Sequence, residues 1–217
     1  MKASNPNLPE IYEVGGYCLL GAETLLTRTR ELEDQVDGAR KNNDIEYVHK
    51  LRVASRRTRA ALDLFEACFG RKRAKKWTKT IRNVTRSSGA ARDADVQIAF
   101  LTSYAKTNED KNIALGLDYL ITICTTRRRA MQASVTKALD DLEASEILGD
   151  ITHSCIALRV GERKESDIKT LATYGKAYDQ ISTKLAEVLA LEPFVHDEGA
   201  AAKHHELRIA IKRLRYT

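Results

Sequence analysis

The stretch "HKLRVASRRTR" at residues 49–59 returns as "HELRIAIKRLR" at residues 205–215. Both read His-x-Leu-Arg-[Val/Ile]-Ala-x-[Arg/Lys]-Arg-x-Arg. On a helix, at about 100° per residue, His49, Arg52, Arg56 and Arg59 fall within an arc of roughly 80°. Arg57 flanks them, while Leu51, Ala54, Thr58, Ala61, Leu62 and Phe65 gather on the other side. The pattern therefore predicts a helix that packs through one face and carries a cationic ridge on the opposite one. In the second copy His205, Arg208, Lys212 and Arg215 repeat the ridge. Arg213 takes the place of Arg57, and Leu207, Ala210 and Leu214 form the packing side.

A third helical segment, "RKRAKKWTKTIRNVTRSS" at 71–88, repeats the same division. Lys72, Lys75, Lys79, Arg82 and Arg86 lie within an arc of about 80°, with Trp77, Ile81 and Val84 turned away. Like charges stacked at i,i+4 destabilise an isolated helix by a few tenths of a kcal/mol per pair. An anionic partner, or acids from another element, would offset that repulsion.

Charge along the chain is segregated. The 217 residues carry a formal net charge of +6, yet from His49 to Arg92 there are 14 Lys and Arg against two acids, Asp63 and Glu66. That segment alone holds +12, so the remainder sums to −6. Solubility by itself favours mixed signs, so the concentration points to an anion as partner. Guanidinium groups suit phosphate oxygens because the planar fork donates two charge-assisted hydrogen bonds at once, and lysines add point charge. His49 and His205 add ring N–H donors, with packing histidines as the alternative reading.

The rest of the chain reads as helices. With 43% hydrophobic residues, 30% charged, and no proline between Pro9 and Pro193, long uninterrupted helices are permitted, and no alternating strand pattern competes. The all-α segments expected are 10–42, Asn43 (as cap) to Phe69, 71–88 ending at Gly89, one opening near Asp93, 112–145, 147–160, 167–191, and a last helix carrying the second motif. "GERKES" at 161–166 reads as a linker. Cys18, Cys68, Cys124 and Cys155 lie far apart among apolar neighbours, and are expected to be reduced core residues of a cytosolic chain. The N-terminus does not read as a signal peptide, and no apolar run approaches the roughly 20 residues of a membrane span.

The segments "HKLRVASRRTRAALDLF" (49–65), "RSSGAARDADV" (86–96) and "HHELRIAIKRLRYT" (204–217), in this order and spacing, resemble the CHAD family, the conserved histidine α-helical domains. The resemblance implies a helical bundle of two pseudo-symmetric halves, about 10–110 and 111–217, behind an N-terminal tail at 1–9. It also implies that the basic ridges bind inorganic polyphosphate. Carried over by position, His49, Arg52, Arg56, Arg57 and Arg59 match the family's first motif, and His205, Arg208, Lys212, Arg213 and Arg215 its second. Lys75, Lys79, Arg82 and Arg86 match less strictly, and Arg92–Asp93 matches an Arg-Asp pair whose acid caps a helix or orients an arginine. Only Tyr216 and Thr217 follow Arg215, so the second half reads as cut short. Helices absent from it would leave apolar surface exposed.

Four other functions compete. Phosphoryl-transfer enzymes need metal-holding carboxylates or a Gly-rich cradle; there is no Walker pattern, and "ELEDQ" at 31–35 lacks the lysine of the Glu-x-Glu-x-Lys strand of the CYTH enzymes. A non-catalytic protein without cofactor or metal is therefore expected. Nucleic-acid backbone binding shares the electrostatics, but the ridges offer few side chains for base edges or stacking. Metal binding through His153, His196, His204 and His205 is opposed by the arginines beside the last of these. A helical adaptor for acidic proteins is the fourth. The expected partner is inorganic polyphosphate, with other polyanions as the alternative, and the expected location is the cytoplasm, at polyphosphate granules where these exist.

Overall fold

The proline-free centre of the chain does form long helices. The computed structural model describes residues 15–108, 110–159 and 165–217. Its elements are α1 (Gly16–Lys41), α2 (Ile45–Leu64), α3 (Glu66–Phe69), α4 (Arg71–Thr107), α5 (Lys111–Ala144), α6 (Ile147–Leu158), α7 (Glu165–Ile168), α8 (Leu171–Leu189), a 3-10 turn (Glu192–Phe194) and α9 (Ala201–Tyr216). Strands do not occur among the described residues. The start expected for the first helix near residue 10, and most of the 161–166 linker, lie outside the described residues.

Local chemistry sets most of the boundaries. Asn42 takes a positive φ of 50°, a conformation Asn tolerates better than most residues, and turns the chain out of α1. Asp44, with extended φ and ψ, then caps α2 by accepting the Glu46 N–H at 2.8 Å. The cap is thus Asp44 and not Asn43, because its carboxylate reaches the second helical N–H. Gly70, at φ 82°, is the expected stop after Phe69. Phe65 breaks the segment before it, separating α2 from the single turn of α3.

The main correction concerns α4. Gly89 does not end the helix; 37 residues run unbroken from Arg71 to Thr107. A helical glycine costs about 1 kcal/mol relative to alanine, but Val84, Ser88, Ala91 and Ala94 around Gly89 are buried and keep the helix on its neighbours. Ser88 satisfies its own hydroxyl by donating to the Val84 carbonyl at 2.7 Å. Asp93 consequently stands inside the helix and caps nothing.

The chain forms two compact units, residues 25–152 and the described part of 1–24 with 153–217. In the first, Leu25, Leu32, Leu51, Leu62, Trp77, Ile81, Leu139 and Leu142 are fully buried. The expected packing sides of α2 and α4 are the ones turned inward. Trp77 donates its indole N–H to Asp150 at 2.8 Å, so the largest core side chain leaves no polar atom unpaired. Between α2 and α4 Thr85 donates to the Ser55 hydroxyl at 3.1 Å, and Thr58 reaches the Arg28 carbonyl of α1 at 3.2 Å. α5 is tied to α1 by Arg40, which binds Asp140 and Glu143 and is held above its ordinary pKa chiefly by the Asp140 hydrogen bond.

In the second unit α8 packs on α9, Thr170 caps α8 through the Thr173 N–H, and Lys176 lies 5.2 Å above the Tyr17 ring. α8 also shows an exposed apolar row, Leu171, Tyr174, Tyr178, Ile181, Leu185 and Leu189. Cys18 and Cys68 are disulfide-bonded, whereas Cys124 and Cys155 are free. Four reduced thiols were the expectation; spacing along the chain carries no information about which cysteines are oxidised. The oxidised cysteines also remove the cysteine argument for a cytosolic chain.

Candidate anion-binding site

Burial of Val48, Leu51, Ala54, Ser55, Thr58, Ala61 and Leu62 fixes the rotation of α2. His49, Arg52, Arg56 and Arg59 are thereby held half-buried, and Arg57 is exposed. α4 is fixed in the same way by Ala74, Trp77, Thr78, Ile81 and Val84, which leaves Lys72, Lys75, Lys79, Arg82 and Arg86 fully in solvent. Among the described residues none of these five has a carboxylate partner. Among the described residues, therefore, no acid relieves the repulsion expected along the α4 stripe.

The two ridges meet at two places. In the first half of α4, Arg82 is near enough for its charge to act on Arg59 of α2, and the Arg59 pKa falls below its ordinary value. Burial is the largest cause, the positive charges of Arg82 and Arg56 add to it, and Asp63 opposes it. The Arg59 Nε and the His49 Nδ1 are buried with no hydrogen-bond partner among the described residues. One helical turn or more further along, Arg52 lies over Gly89, its Nε 3.4 Å from where a Cβ would stand. Gly89, the expected stop signal, is in the structure a mid-helix position crossed by an arginine.

Acids border this face at longer range. Asp93 stands 4.0 Å from Arg52, and Glu46 stands 3.9 Å from Arg92. Of the two expected roles for Asp93, orienting an arginine is the one the geometry allows. Asp95 belongs to the interior: Arg128 of α5 binds it through Nε at 2.7 Å and also donates to Asn42 at 3.0 Å and to Gln132 at 3.3 Å.

The second motif lies on α9, in the other unit. Ala210 is buried, Leu207 and Leu214 are half-buried, and His205, Arg208, Lys212, Arg213 and Arg215 are all exposed. The neighbouring His204 is engaged elsewhere, at 2.7 Å from the Phe194 carbonyl. The structure thus brings together the α2 and α4 members of the expected site, and the α9 members form an exposed ridge on their own unit. No group of three or more His, Cys, Asp or Glu suited to a metal ion occurs among the described residues. Nor is any of their helices long and apolar enough to cross a membrane.

The CHAD domain family profile matches residues 23–217. The chain belongs to the CHAD domain family. Among solved structures it is similar to the CHAD domain from the plant Ricinus communis, at 20% identity and a TM-score of 0.69, with 100% of this chain and 69% of that one covered. It is also similar to PptA from Streptomyces chartreusis, at 15% identity and a TM-score of 0.53, over 93% of this chain and 73% of that one. No curated protein matches. At these identities the two structures support the helical fold.

Sequence reasoning missed one cation of this CHAD domain. Arg127 of α5 is exposed, without an acid partner among the described residues, and lines a groove with Asp93 of α4. "RRR" at 127–129 was the available signal, but nothing local tells that Arg128 turns inward to Asp95, 33 residues earlier.

Proposed function

We propose that this CHAD domain is a non-catalytic inorganic polyphosphate-binding module, in which the α2 and α4 ridges, and the α9 ridge on the other unit, hold phosphate groups. One observation carries the reading: Arg59 is half-buried with the positive charges of Arg82 and Arg56 acting on it, and its buried Nε has no acceptor among the described residues. A cation held in a half-buried position among other cations gains most from an anion that supplies both charge and acceptor oxygens. Polyphosphate carries about one charge per phosphate with no sugar or base between, which matches closely spaced Arg and Lys better than a nucleic-acid backbone does. Family membership supports the same ligand, since polyphosphate binding is associated with CHAD domains. Binding to polyanions in general, nucleic-acid backbones included, is the alternative.

Titration with long-chain polyphosphate, and with single- and double-stranded DNA of equal total charge, at two salt concentrations tests this. Polyphosphate held much more tightly at the higher salt supports a dedicated site, and equal binding of DNA supports a general polyanion clamp. Replacing Arg52 and Arg208 together by Glu is expected to abolish binding while far-UV helicity stays unchanged. Wild-type affinity in that double variant would sink the ridge assignment.

A further inference from the structure

The cationic stripe of α4 does not stop at Arg86 as a surface. Ala90, Asp93 and Gln97 continue it within the same arc of about 80°, and there it becomes the floor of an open groove of about 520 Å³ whose far wall is Cys124, Arg127 and Met131 of α5. On the α4 stripe the cations end at Arg86: the next on the helix, Arg92, lies off the stripe and pairs with Glu46. Charge is instead brought in from the two neighbouring helices: Arg127 of α5 lines the groove, and Arg52 of α2 stands 4.0 Å from Asp93, a lining residue whose side chain is 77% exposed. Beyond Gln97 the stripe turns aromatic, with Phe100 and Tyr104 exposed and stacked at 6.4 Å. Past the groove the stripe itself carries no further cation, and the next on α4, Lys106 in its last turn, lies off it.

We propose that this groove is the subsite for the end of the phosphate chain, in which Arg52 and Arg127 hold the terminal phosphate and Asp93 is the counter-anion that it displaces. The inference rests on the polyphosphate reading above. Its chemistry is that of charge matching. An internal phosphate carries one negative charge, whereas a terminal one loses a second proton with a pKa of about 6 and carries close to two at neutral pH. At Arg52 an internal unit would only exchange one negative charge for another, since Asp93 stands beside that arginine, so it gains from Arg127 alone. A doubly charged end displaces the carboxylate with net gain and engages both arginines. Asp93 thereby makes the groove select ends over middles, a specificity obtained by repulsion of the wrong group.

The test uses the full chain, long polyphosphate with free ends, and the same polyphosphate with both terminal phosphates blocked as phosphoramidates, at pH 8. Wild type is expected to bind the free-ended polymer several-fold more tightly than the blocked one. Arg127→Ala should bring the two affinities together by weakening the free-ended polymer, and should lower the slope of log affinity against log salt by about one contact's share. Asp93→Asn should bring them together by the opposite route, by tightening the blocked polymer. Equal affinities for the two polymers in wild type, or an unchanged ratio in Arg127→Ala, overturns the end subsite while leaving polyphosphate binding intact. If wild type binds neither polymer, the functional reading itself falls, and the subsite with it.

Discussion

Arg52 of α2 crosses α4 directly over Gly89, with its Nε 3.4 Å from the position of an added Cβ. That is ordinary van der Waals distance, so alanine fits where a larger side chain does not. Gly89→Ala is expected to stabilise the fold by about 0.5–1 kcal/mol, the helix-interior preference for Ala over Gly, with polyphosphate affinity unchanged. Gly89→Leu should push the Arg52 guanidinium off the helix and weaken binding. Thermal unfolding and titration of both variants check the pair of outcomes.

Arg59 should show opposite signs in stability and in binding. Its charge is crowded by Arg82 and Arg56, so Arg59→Met, which keeps the aliphatic stem, is expected to raise stability without ligand by a few tenths of a kcal/mol, the scale of one like-charge pair. The same change should reduce polyphosphate affinity, and with it the rise in Tm that saturating polyphosphate produces by mass action. Melting curves with and without polyphosphate separate the two effects. A fall in ligand-free Tm would contradict the crowding.

The Arg128–Asp95 pair is a structural tie and not part of the anion site. Both side chains are almost fully buried. Removing one partner, as in Asp95→Ala, leaves an uncompensated buried charge and should cost about 3–5 kcal/mol. Replacing both at once, with Arg128→Met and Asp95→Leu, should cost much less. Chemical denaturation of the two single variants and the double variant measures the difference.

Cys155 is completely buried, and burial pushes its thiol up to about 12 from an ordinary value of 9.0. In the native protein at pH 8, alkylating reagents should therefore modify the half-buried Cys124 first and reach Cys155 only on unfolding. The linkage has a definite sign. Below pH 9 the thiol is neutral in both states and its contribution is fully present. From pH 9 towards 12 the unfolded chain ionises and the folded chain does not, so that contribution is lost. Cys155→Ala should lose less stability over that pH range than wild type does, as measured by denaturant unfolding at pH 8 and pH 10.

The fold class and the helix faces that carry the candidate ridges were legible in the residues because both follow from helical periodicity. Placing Leu51, Ala54, Thr58, Ala61 and Leu62 on one side of a helix obliges His49, Arg52, Arg56 and Arg59 to occupy the other, whatever the helix packs against. The same reasoning separated Trp77, Ile81 and Val84 from Lys72, Lys75, Lys79, Arg82 and Arg86. Glycine was the misleading sign. Its weak helix propensity at 89 read as a boundary, but propensity is a local quantity of about 1 kcal/mol, and burial along both flanks of α4 outweighs it.

By itself, then, the sequence determined that the chain is helical, which face of each helix is apolar, and that two matching motifs present cations. Those properties depend on residues three and four apart. Only the tertiary structure decided that the charge of Arg82 acts on Arg59, that Arg52 passes over Gly89 to Asp93, and that Arg128 turns inward while Arg127 faces the groove. Each of these relationships joins residues on different helices, and the packing of whole helix faces sets them, with no pattern within one helix to record it.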